Sequence, residues 1–470
     1  MNIWNFYLKK VVPILIHIKT VNQHKDTIWL SKSLLQQLHL TPNQTIPIYF
    51  GLKEPIMVRV LQHQSNQDLL LISSLIEKKI KLPYHKKLMI KRDHRGLQIG
   101  PIIGILTSNY SGTNFLESLK HFRHPFSKFF FDLLTKEGSY PAYYFVFQPG
   151  AVNWRDKTVK GIFLFPTANQ NKTWEYATIS LPDVVYNRVL NRGSEQHPSV
   201  QQFKKQYLQS GGKLFNDNFF NKWEINQILT NDPTIKSSIP ETHANPSLPL
   251  LKNMLKKYPI VYLKPAGGSL GKGIYKITKT NNAYTLQFRN KQFNQSFDFK
   301  QINALFTFLT KQPIRLNRYI IQQGITLVEY QHRPVDFRVQ LHKNKRNRWK
   351  LIAIGAKAAG KGSVTTHIRT GGQLINASEF IKEIFKQDTS YVLEEIKSKS
   401  IQIAKHLEQN LNQPLGELGL DVGVDKNHHV WLFEVNSKPG RSIFKHPSLK
   451  QANEESIKSL LEYPIYLSGF

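Results

Sequence analysis

A lysine, a proline and a loop with four glycines interrupt the apolar pattern in the middle of the sequence, between Val261 and Gly273. The apolar run ends at Lys264-Pro265, and the pattern resumes at Ile274. This order predicts a strand, a glycine-rich turn and a strand, because glycine accepts positive φ and lets the backbone approach a ligand. Free N–H groups in such a turn bind anions, and Lys264 adds a charge for a phosphate. An ordinary hairpin is the alternative, and the Walker A ending is missing.

The chain has 470 residues, which is enough for two or three domains with buried cores. It contains no cysteine, and this excludes disulfides, thiolate catalysis and cysteine-bound metal clusters. We therefore expect a cytoplasmic protein. A short apolar run ends at Ile16, but it is too short for a membrane span and lacks a cleavage site, so we expect no membrane insertion.

The formal charge of +32 is extreme, and its lysines are spread along the whole chain. Three interpretations compete: binding of nucleic acid or another anionic polymer, association with an anionic surface, and attraction of anionic substrates. A generally basic surface without a specific partner is the fourth. The charge therefore bears on non-specific partners more than on chemistry.

Residues 1–100 contain an internal repeat, in which Ile28–Ser31 aligns with Leu70–Ser73 without a gap. Each copy predicts a strand, a short helix and a strand, and two interlocked copies would close a small β-barrel. Residues 101–205 predict an α/β domain. Its elements are a buried strand at Ile102–Ser108, one amphipathic helix over Asn114–Leu134, and strands at Ala142–Phe147 and Gly161–Phe165.

Residues 206–470 form the third predicted domain. Its segments are a helix at Phe219–Leu229, a strand breaking into a turn at Tyr319–Ile325, paired strands at Val335–Leu341 and Trp349–Gly355, and two helices within Glu379–Asn410.

The last hairpin places oxygen-bearing side chains on apolar strands. Strand alternation directs Glu434 and Asn436 to the same face, and the turn at Lys426–His429 brings Asp421 opposite that pair. Two carboxylates and an amide oxygen suit Mg²⁺, which completes its coordination with water and phosphates. The alternative is a solvated hairpin face.

Together, the glycine-rich turn and the hairpin resemble the ATP-grasp superfamily over residues 215–450. The resemblance implies an ATP-grasp fold, in which two α+β subdomains sandwich ATP, preceded by a pre-ATP-grasp α/β domain. It also implies roles for individual residues. They are phosphate contacts at Lys222 and Lys264; a flap with Gly267, Gly268, Ser269, Gly271 and Gly273; an adenine hinge at Gln322, Gln323 and Ile325; a phosphate-side pair, Asp336 and Arg338; and ligands for Mg²⁺ or Mn²⁺ at Asp421, Glu434 and Asn436.

More narrowly, the chain is similar to the YheC/YheD family of endospore coat-associated ATP-grasp proteins. The segments that carry the similarity are Ile28–Ser31, Tyr49–Gly51, Asp336–Val339, Arg369–Gly372 and Gly416–Asp421. Many ATP-grasp proteins have an acidic hinge residue where this chain has Gln322-Gln323, and many have asparagine where it has His367.

The resemblance implies a ligase that joins a carboxylate to an amine or thiol through an acyl phosphate, with both substrates unknown. Arg338, Arg369 and Arg441 are its candidate catalytic residues. It also implies association with the spore coat. Two other functions stay open: a nucleotide-binding coat or assembly protein without turnover, and a binder of nucleic acid or anionic polymers.

Overall fold

The structure is a computed structural model that describes residues 12–65, 68–108, 114–166, 172–268, 271–290, 293–366 and 371–470. The chain divides into two compact units. The first comprises residues 1–217, 345–347 and 457–470, and the second comprises residues 218–344 and 348–456. No helix within the described residues is long and apolar enough to span a membrane.

Seven strands near the start of the first unit close into a barrel in the order β1-β5-β2-β4-β3-β7-β6. Its elements are β1 (Ile14–Val21), β2 (Thr27–Ser31), α1 (Lys32–Gln37), β3 (Thr45–Phe50), β4 (Ile56–His63), β5 (Leu69–Ser73), α2 (Ser74–Ile80), β6 (Lys87–Asp93) and β7 (Gly96–Gly100). This confirms the predicted barrel.

Strands at equivalent positions of the predicted repeat pair in equivalent ways. β1 runs parallel to β5 as β4 does to β2, and β1 runs antiparallel to β6 as β4 does to β3. Each repeat starts its helix with a buried serine. Ser31 Oγ accepts from Leu34 N at 3.2 Å, and Ser73 Oγ accepts from Ile76 N at 3.2 Å.

The second sheet of the first unit has the core order β11-β9-β8-β13-β14, in which β9, β8, β13 and β14 run parallel. Its elements are β8 (Ile102–Leu106), α3 (Phe115–Lys120), α4 (Ser127–Lys136), β9 (Tyr143–Phe147), β10 (Val152–Asn153), β11 (Thr158–Pro166), β12 (Lys172–Ser180), β13 (Val184–Asn187), α5 (Arg192–Glu195), α6 (Pro198–Gln209) and β14 (Lys213–Phe215). Every residue of β8 and β9 is buried, as the continuous apolar runs predict.

The single helix predicted over residues 114–134 is wrong, because α3 ends at Lys120 and α4 begins at Ser127. Pro125 lies in the break, where a proline ring excludes the helical conformation of the residue before it. Phe122 adopts φ 52° in the same break, which also stops a helix.

The second unit contains two sheets. Both have six strands: the first has the order β15-β20-β16-β17-β18-β19, and the second has the order β24-β23-β22-β25-β26, with β21 paired to β22. The elements are α7 (Lys222–Thr230), α8 (Pro233–Lys236), β15 (Thr242–Ala244), α9 (Leu248–Lys257), β16 (Ile260–Pro265), β17 (Tyr275–Lys279), β18 (Tyr284–Asn290), β19 (Phe293–Phe299), α10 (Ile302–Thr310), β20 (Tyr319–Gln323), β21 (Glu329–Tyr330), β22 (Arg333–Lys343), β23 (Trp349–Ala358), β24 (Gln373–Ile375), α11 (Ala377–Phe385), α12 (Thr389–Leu411), β25 (Glu417–Val424), β26 (Val430–Asn436) and, continuing into the first unit's residues, α13 (Lys450–Ser468).

Helices pack against one face of each sheet of the second unit. Apolar side chains from α9 and α10 form one core with the sheet that contains β16, and side chains from α11 and α12 form another with the sheet that contains β22. On the opposite face of the second of these sheets, Ile352 and Ala353 of β23 pack against Ile443.

A buried ion pair offers a test of the packing within the first unit. Lys86 Nζ contacts Glu137 Oε2, and Glu137 Oε1 accepts from Tyr84 Oη at 2.9 Å. Because Glu137→Ala leaves the buried Lys86 without its counter-ion, we expect the free energy of unfolding to fall by about 3–5 kcal/mol. Hydrogen exchange at the β6 and β9 amides would measure this loss in the free energy of unfolding. Glu175→Ala, at an exposed position of β12, is the control, and an equal loss in both variants would contradict the prediction.

Candidate functional site

Asp421 and Glu434 lie directly opposite each other on β25 and β26, and Asn436 is opposite Gly419. The structure thus confirms that the last hairpin brings Asp421 to the Glu434–Asn436 pair. Asn436 Nδ2 lies 3.4 Å from Asp421 Oδ2. The hairpin register shifts between Asp421 and Val422, next to the carboxylate.

The neighbouring strand, β22, adds a carboxylate and a guanidinium to the same face. Val335, Phe337 and Val339 are buried among α11 and α12, so Asp336 and Arg338 project to the opposite side. Arg338 Nε donates to Asp421 Oδ1 at 2.8 Å, and Arg338 Nη2 donates to Asp421 Oδ2 at 2.7 Å. This is the bidentate geometry in which arginine binds carboxylates and phosphates most strongly.

Lys357 completes this cluster, and the sequence analysis did not identify it. Its ammonium lies 3.0 Å from Asp336 Oδ1 and 3.0 Å from Asp421 Oδ1. Ala356 and Ala358 face the apolar core, so alternation along β23 directs Lys357 to the polar face. The signal was available, since extending the predicted β22–β23 pairing places Lys357 opposite Asp336.

The two carboxyl groups of this cluster differ in acidity. Burial raises the pKa of Asp336 above its usual value, and the negative charge of Asp421 adds to that rise. Burial acts on Asp421 in the same direction, but Arg338 and Lys357 outweigh it and hold the pKa of Asp421 well below its usual range. Asp421 is therefore an anion in a cationic setting.

Lys222 connects the glycine-rich turn to the hairpin. It is the first residue of α7, its Nζ donates to Gly268 O at 2.6 Å, and it lies 3.2 Å from Glu434 Oε1. The backbone N of Lys222 also donates to Ala266 O at 3.0 Å. The side chain thus holds the turn and a carboxylate of β26 together.

The turn itself joins two antiparallel strands, β16 and β17, as predicted. Gly271 and Gly273 both have φ 70°, which requires glycine. Gly268 N donates to Pro265 O at 3.0 Å, and Gly267 precedes it. Ser269 lies outside the described residues.

Lys264, at the end of β16, projects away from the apolar core that Val261 and Leu263 enter. Its Nζ donates to Gln322 Oε1 at 2.5 Å and lies 5.7 Å from the centre of the Phe433 ring. Burial lowers the pKa of Lys264 to about 8, because the ammonium loses hydration, and the carboxylate of Glu434 limits the fall.

The strand predicted to break into a turn is β20, which ends at Gln323. Gln322 Nε2 donates to Thr242 Oγ1 at 3.0 Å, and Gln323 Oε1 accepts from Glu241 N at 3.1 Å. The glutamine side chains are therefore held by the protein, and Gly324 and Ile325 follow at the edge of the sheet.

Arg441 is not in this cluster. Its Nη1 donates to Ser456 Oγ at 2.9 Å and its Nη2 donates to Asn453 Oδ1 at 2.6 Å, both within the second unit. Arg369 and His367 lie outside the described residues.

The chain is similar to known proteins over most of its length. A family profile described as "YheC/D like ATP-grasp" matches residues 211–467. The endospore coat-associated protein YheD of Bacillus subtilis (strain 168) is 32% identical over 449 residues, which cover 94% of each chain. The chain belongs to the YheC/YheD-like ATP-grasp family.

Two further similarities accompany the family assignment. YheC of the same organism, also an endospore coat-associated protein, is 22% identical over 60% of this chain and 78% of its own length. The crystal structure of the D-cycloserine synthetase DcsG is 13% identical and has a TM-score of 0.44, over 77% of this chain and 99% of its own. Membership of the family confirms the ATP-grasp fold class and the family resemblance.

The lowered pKa of Lys264 predicts how nucleotide affinity depends on pH. If Lys264 contacts a phosphate of the nucleotide, its ammonium form supplies the attraction, so affinity is complete below the pKa of about 8 and is lost as the pH rises through it. We expect ATP to bind about tenfold more weakly at pH 9 than at pH 7, as measured by calorimetry. Lys264→Met should bind weakly at both pH values.

The exposed Lys279, on β17, supplies the control for this measurement. Lys279→Met should keep the pH dependence of the unaltered chain. A wild-type affinity that does not change between these two pH values would show that Lys264 does not titrate there.

Proposed function

We propose that the chain binds ATP with Mg²⁺, or Mn²⁺, and joins a carboxylate to an amine or a thiol through an acyl phosphate. The observation that carries the proposal is the placement of Asp421, which lies between two cations on one side and the oxygen donors of β26 on the other. Such a cluster matches what phosphoryl transfer needs, namely positioned cations beside anionic metal ligands.

Lys222 and Lys264 are the proposed contacts for the α- and β-phosphates. Lys222 already bonds to the carbonyl of Gly268 in the glycine-rich turn, and Lys264 precedes this turn at the end of β16. Because the side chains of Gln322 and Gln323 are held by the protein, we propose that the backbone from Gln323 to Ile325 binds the adenine base.

The oxygen atoms of Asp421, Glu434 and Asn436 fit a hard divalent cation in type and in placement. Within the described residues no three Asp, Glu, His or Cys side chains cluster as metal ligands, so the amide of Asn436 would be the third donor. When bound, Mg²⁺ would neutralise charge that develops on the phosphates. Since Arg338 contacts both oxygens of Asp421, the cation would have to share that carboxylate with the guanidinium.

In the proposed first step, a substrate carboxylate oxygen attacks the γ-phosphorus of ATP. An O–P bond forms, the bond from phosphorus to the ADP oxygen breaks, and ADP leaves. Arg338 and Lys357 would stabilise the transferring group, because both are fixed cations on the polar face. In the second step the amine nitrogen attacks the acyl carbon, the C–O bond breaks, phosphate leaves, and the nitrogen loses a proton to solvent.

A nucleotide-binding coat protein without turnover is the second candidate. The observation that favours it is the bidentate hold of Arg338 on Asp421, which occupies both oxygens of a proposed metal ligand. For either activity we propose a cytoplasmic protein that associates with the endospore coat, because the related YheD and YheC are named as coat-associated.

The deciding experiment is ADP release with a panel of carboxylates paired with amines or thiols. We expect release that requires both substrates, and hydroxylamine in place of the amine should trap the acyl phosphate as a hydroxamate. Lys357→Met should lower kcat about 100-fold, because the transferring phosphoryl group loses a fixed cation. Lys350→Met, at the exposed start of β23, is the control. ATP binding without ADP release from any pair would favour the second candidate.

The metal ligands are tested by binding alone. Asp421→Asn and Glu434→Gln should lower the ATP affinity measured with Mg²⁺ at least tenfold, about 1.4 kcal/mol, because the anionic donors are lost. The affinity measured with EDTA should change much less in both variants. If the Mg²⁺-dependent part of the affinity survives in both, Asp421 and Glu434 do not hold the metal.

A further inference from the structure

The parallel strands of the first unit contain a point at which chain connections diverge. β8 and β13 are neighbours at the middle of the sheet. From β8 the chain continues to β9 in one direction across the strands, and from β13 it continues to β14 in the opposite direction. In open α/β sheets, ligands bind outside the carboxyl ends of the strands at such a point. We therefore expect a ligand site at the carboxyl ends of β8 and β13.

A cavity of about 520 Å³ opens at this edge. Its volume falls in the range of small-molecule sites, roughly 300–1,000 Å³. The apolar part of its wall combines the end of β9 with α3, β11 and β12: Phe115, Val146, Phe147, Ile162 and Tyr176. The cavity can thus cover an apolar or aromatic group of a ligand.

Three polar residues line the same cavity and come from three different connections. Ser108 follows β8 and is buried, Gln148 follows β9, and Ser199 lies in the first turn of α6, the longer helix between β13 and β14. Convergence of polar groups from separate strand ends in an otherwise apolar wall is typical of a binding site.

The charge of the cavity wall indicates the charge of the ligand that it can bind. Lys160 is the one charged side chain among the described residues that line the cavity, and no carboxylate lines it. Its Nζ lies 4.7 Å from the centre of the Tyr176 ring, so the ammonium is held beside the aromatic wall. An ammonium beside an apolar wall suits a ligand that carries one anionic group on an apolar body.

We propose that this cavity binds a small amphipathic anion, a carboxylate or a phosphate monoester that carries an aromatic or branched apolar group. The anionic group would lie at Lys160 and the polar strand ends, and the apolar group would lie against Phe115, Phe147 and Ile162. The residues that line the cavity belong to the first unit, and the proposed ATP-site residues belong to the second.

The test is ligand-observed ¹⁹F NMR on the full chain with three matched probes. They are 3-(4-fluorophenyl)propionate, 4-fluorophenyl phosphate and the neutral 3-(4-fluorophenyl)propan-1-ol. We expect saturable binding of an anion in the presence of saturating ATP, and the tighter of the two anions identifies the ligand's acidic group. Lys160→Met should weaken anion binding about fivefold and leave the affinity for the alcohol unchanged, because the substitution removes the positive charge.

Lys205→Met is the matched control, since Lys205 is an exposed lysine of α6 that does not line the cavity. It should bind all three probes like the unaltered chain, and both variants should keep the unfolding temperature. Displacement of the anions by ATP, equal weakening by the two variants, or no binding of either anion would each overturn the proposal.

Discussion

The contact between Arg338 and Asp421 is the constraint on which the second unit depends. A carboxylate on the middle of a sheet is costly to bury unless a cation compensates it. Here the compensation comes from the adjacent strand β22 and from β23 beyond it, as Arg338 contributes two hydrogen bonds and Lys357 a shared ion pair. The opposite face of the same strands carries apolar side chains such as Phe337 and Leu420, both of which are buried. One sheet thus separates a core from a charged surface, and the strand alternation keeps the two apart.

Lys222 also links the glycine-rich turn to the last hairpin. Lys222 bonds to Gly268 on one side and pairs with Glu434 on the other, so a change in either partner is felt by the second. Lys264 lies in the same electrostatic field, where burial lowers its pKa and Glu434 opposes the fall. A lysine poised in this way gains most from a polyanionic ligand, because the ligand restores the charge balance that burial disturbs.

The sequence predicted the structure well where a pattern depends on neighbouring residues in the chain. It predicted the structure less well where the contacting residues are distant in the chain. Alternation in the last hairpin placed Asp421 opposite Glu434, and glycine spacing placed the turn between β16 and β17, since both depend on neighbours in the chain. Lys357 was missed because it lies beyond Gly355, where the predicted strand ended, and because its contact with Asp421 depends on the pairing of β22 with β25. The break between α3 and α4 was missed because the phenylalanine pattern outweighed Pro125. The strand β19 was missed because its residues are mostly exposed, so no buried apolar run marks it.

The first unit also separates apolar from polar side chains, but there the apolar side chains fill the enclosed interior of a barrel. Its barrel is built from two equivalent repeats whose inward residues, such as Ile28, Leu30, Leu70 and Ile72, are apolar and completely buried. Side chains fill the interior of a barrel of this size, so it is a core and not a chamber for a ligand. Polar side chains of the adjoining sheet collect instead at the ends of β8 and β9, where strands stop and backbone and side-chain groups lose their neighbours. In both units, therefore, the proposed sites lie at one face or one end of a sheet, and the faces that pack into apolar cores account for stability.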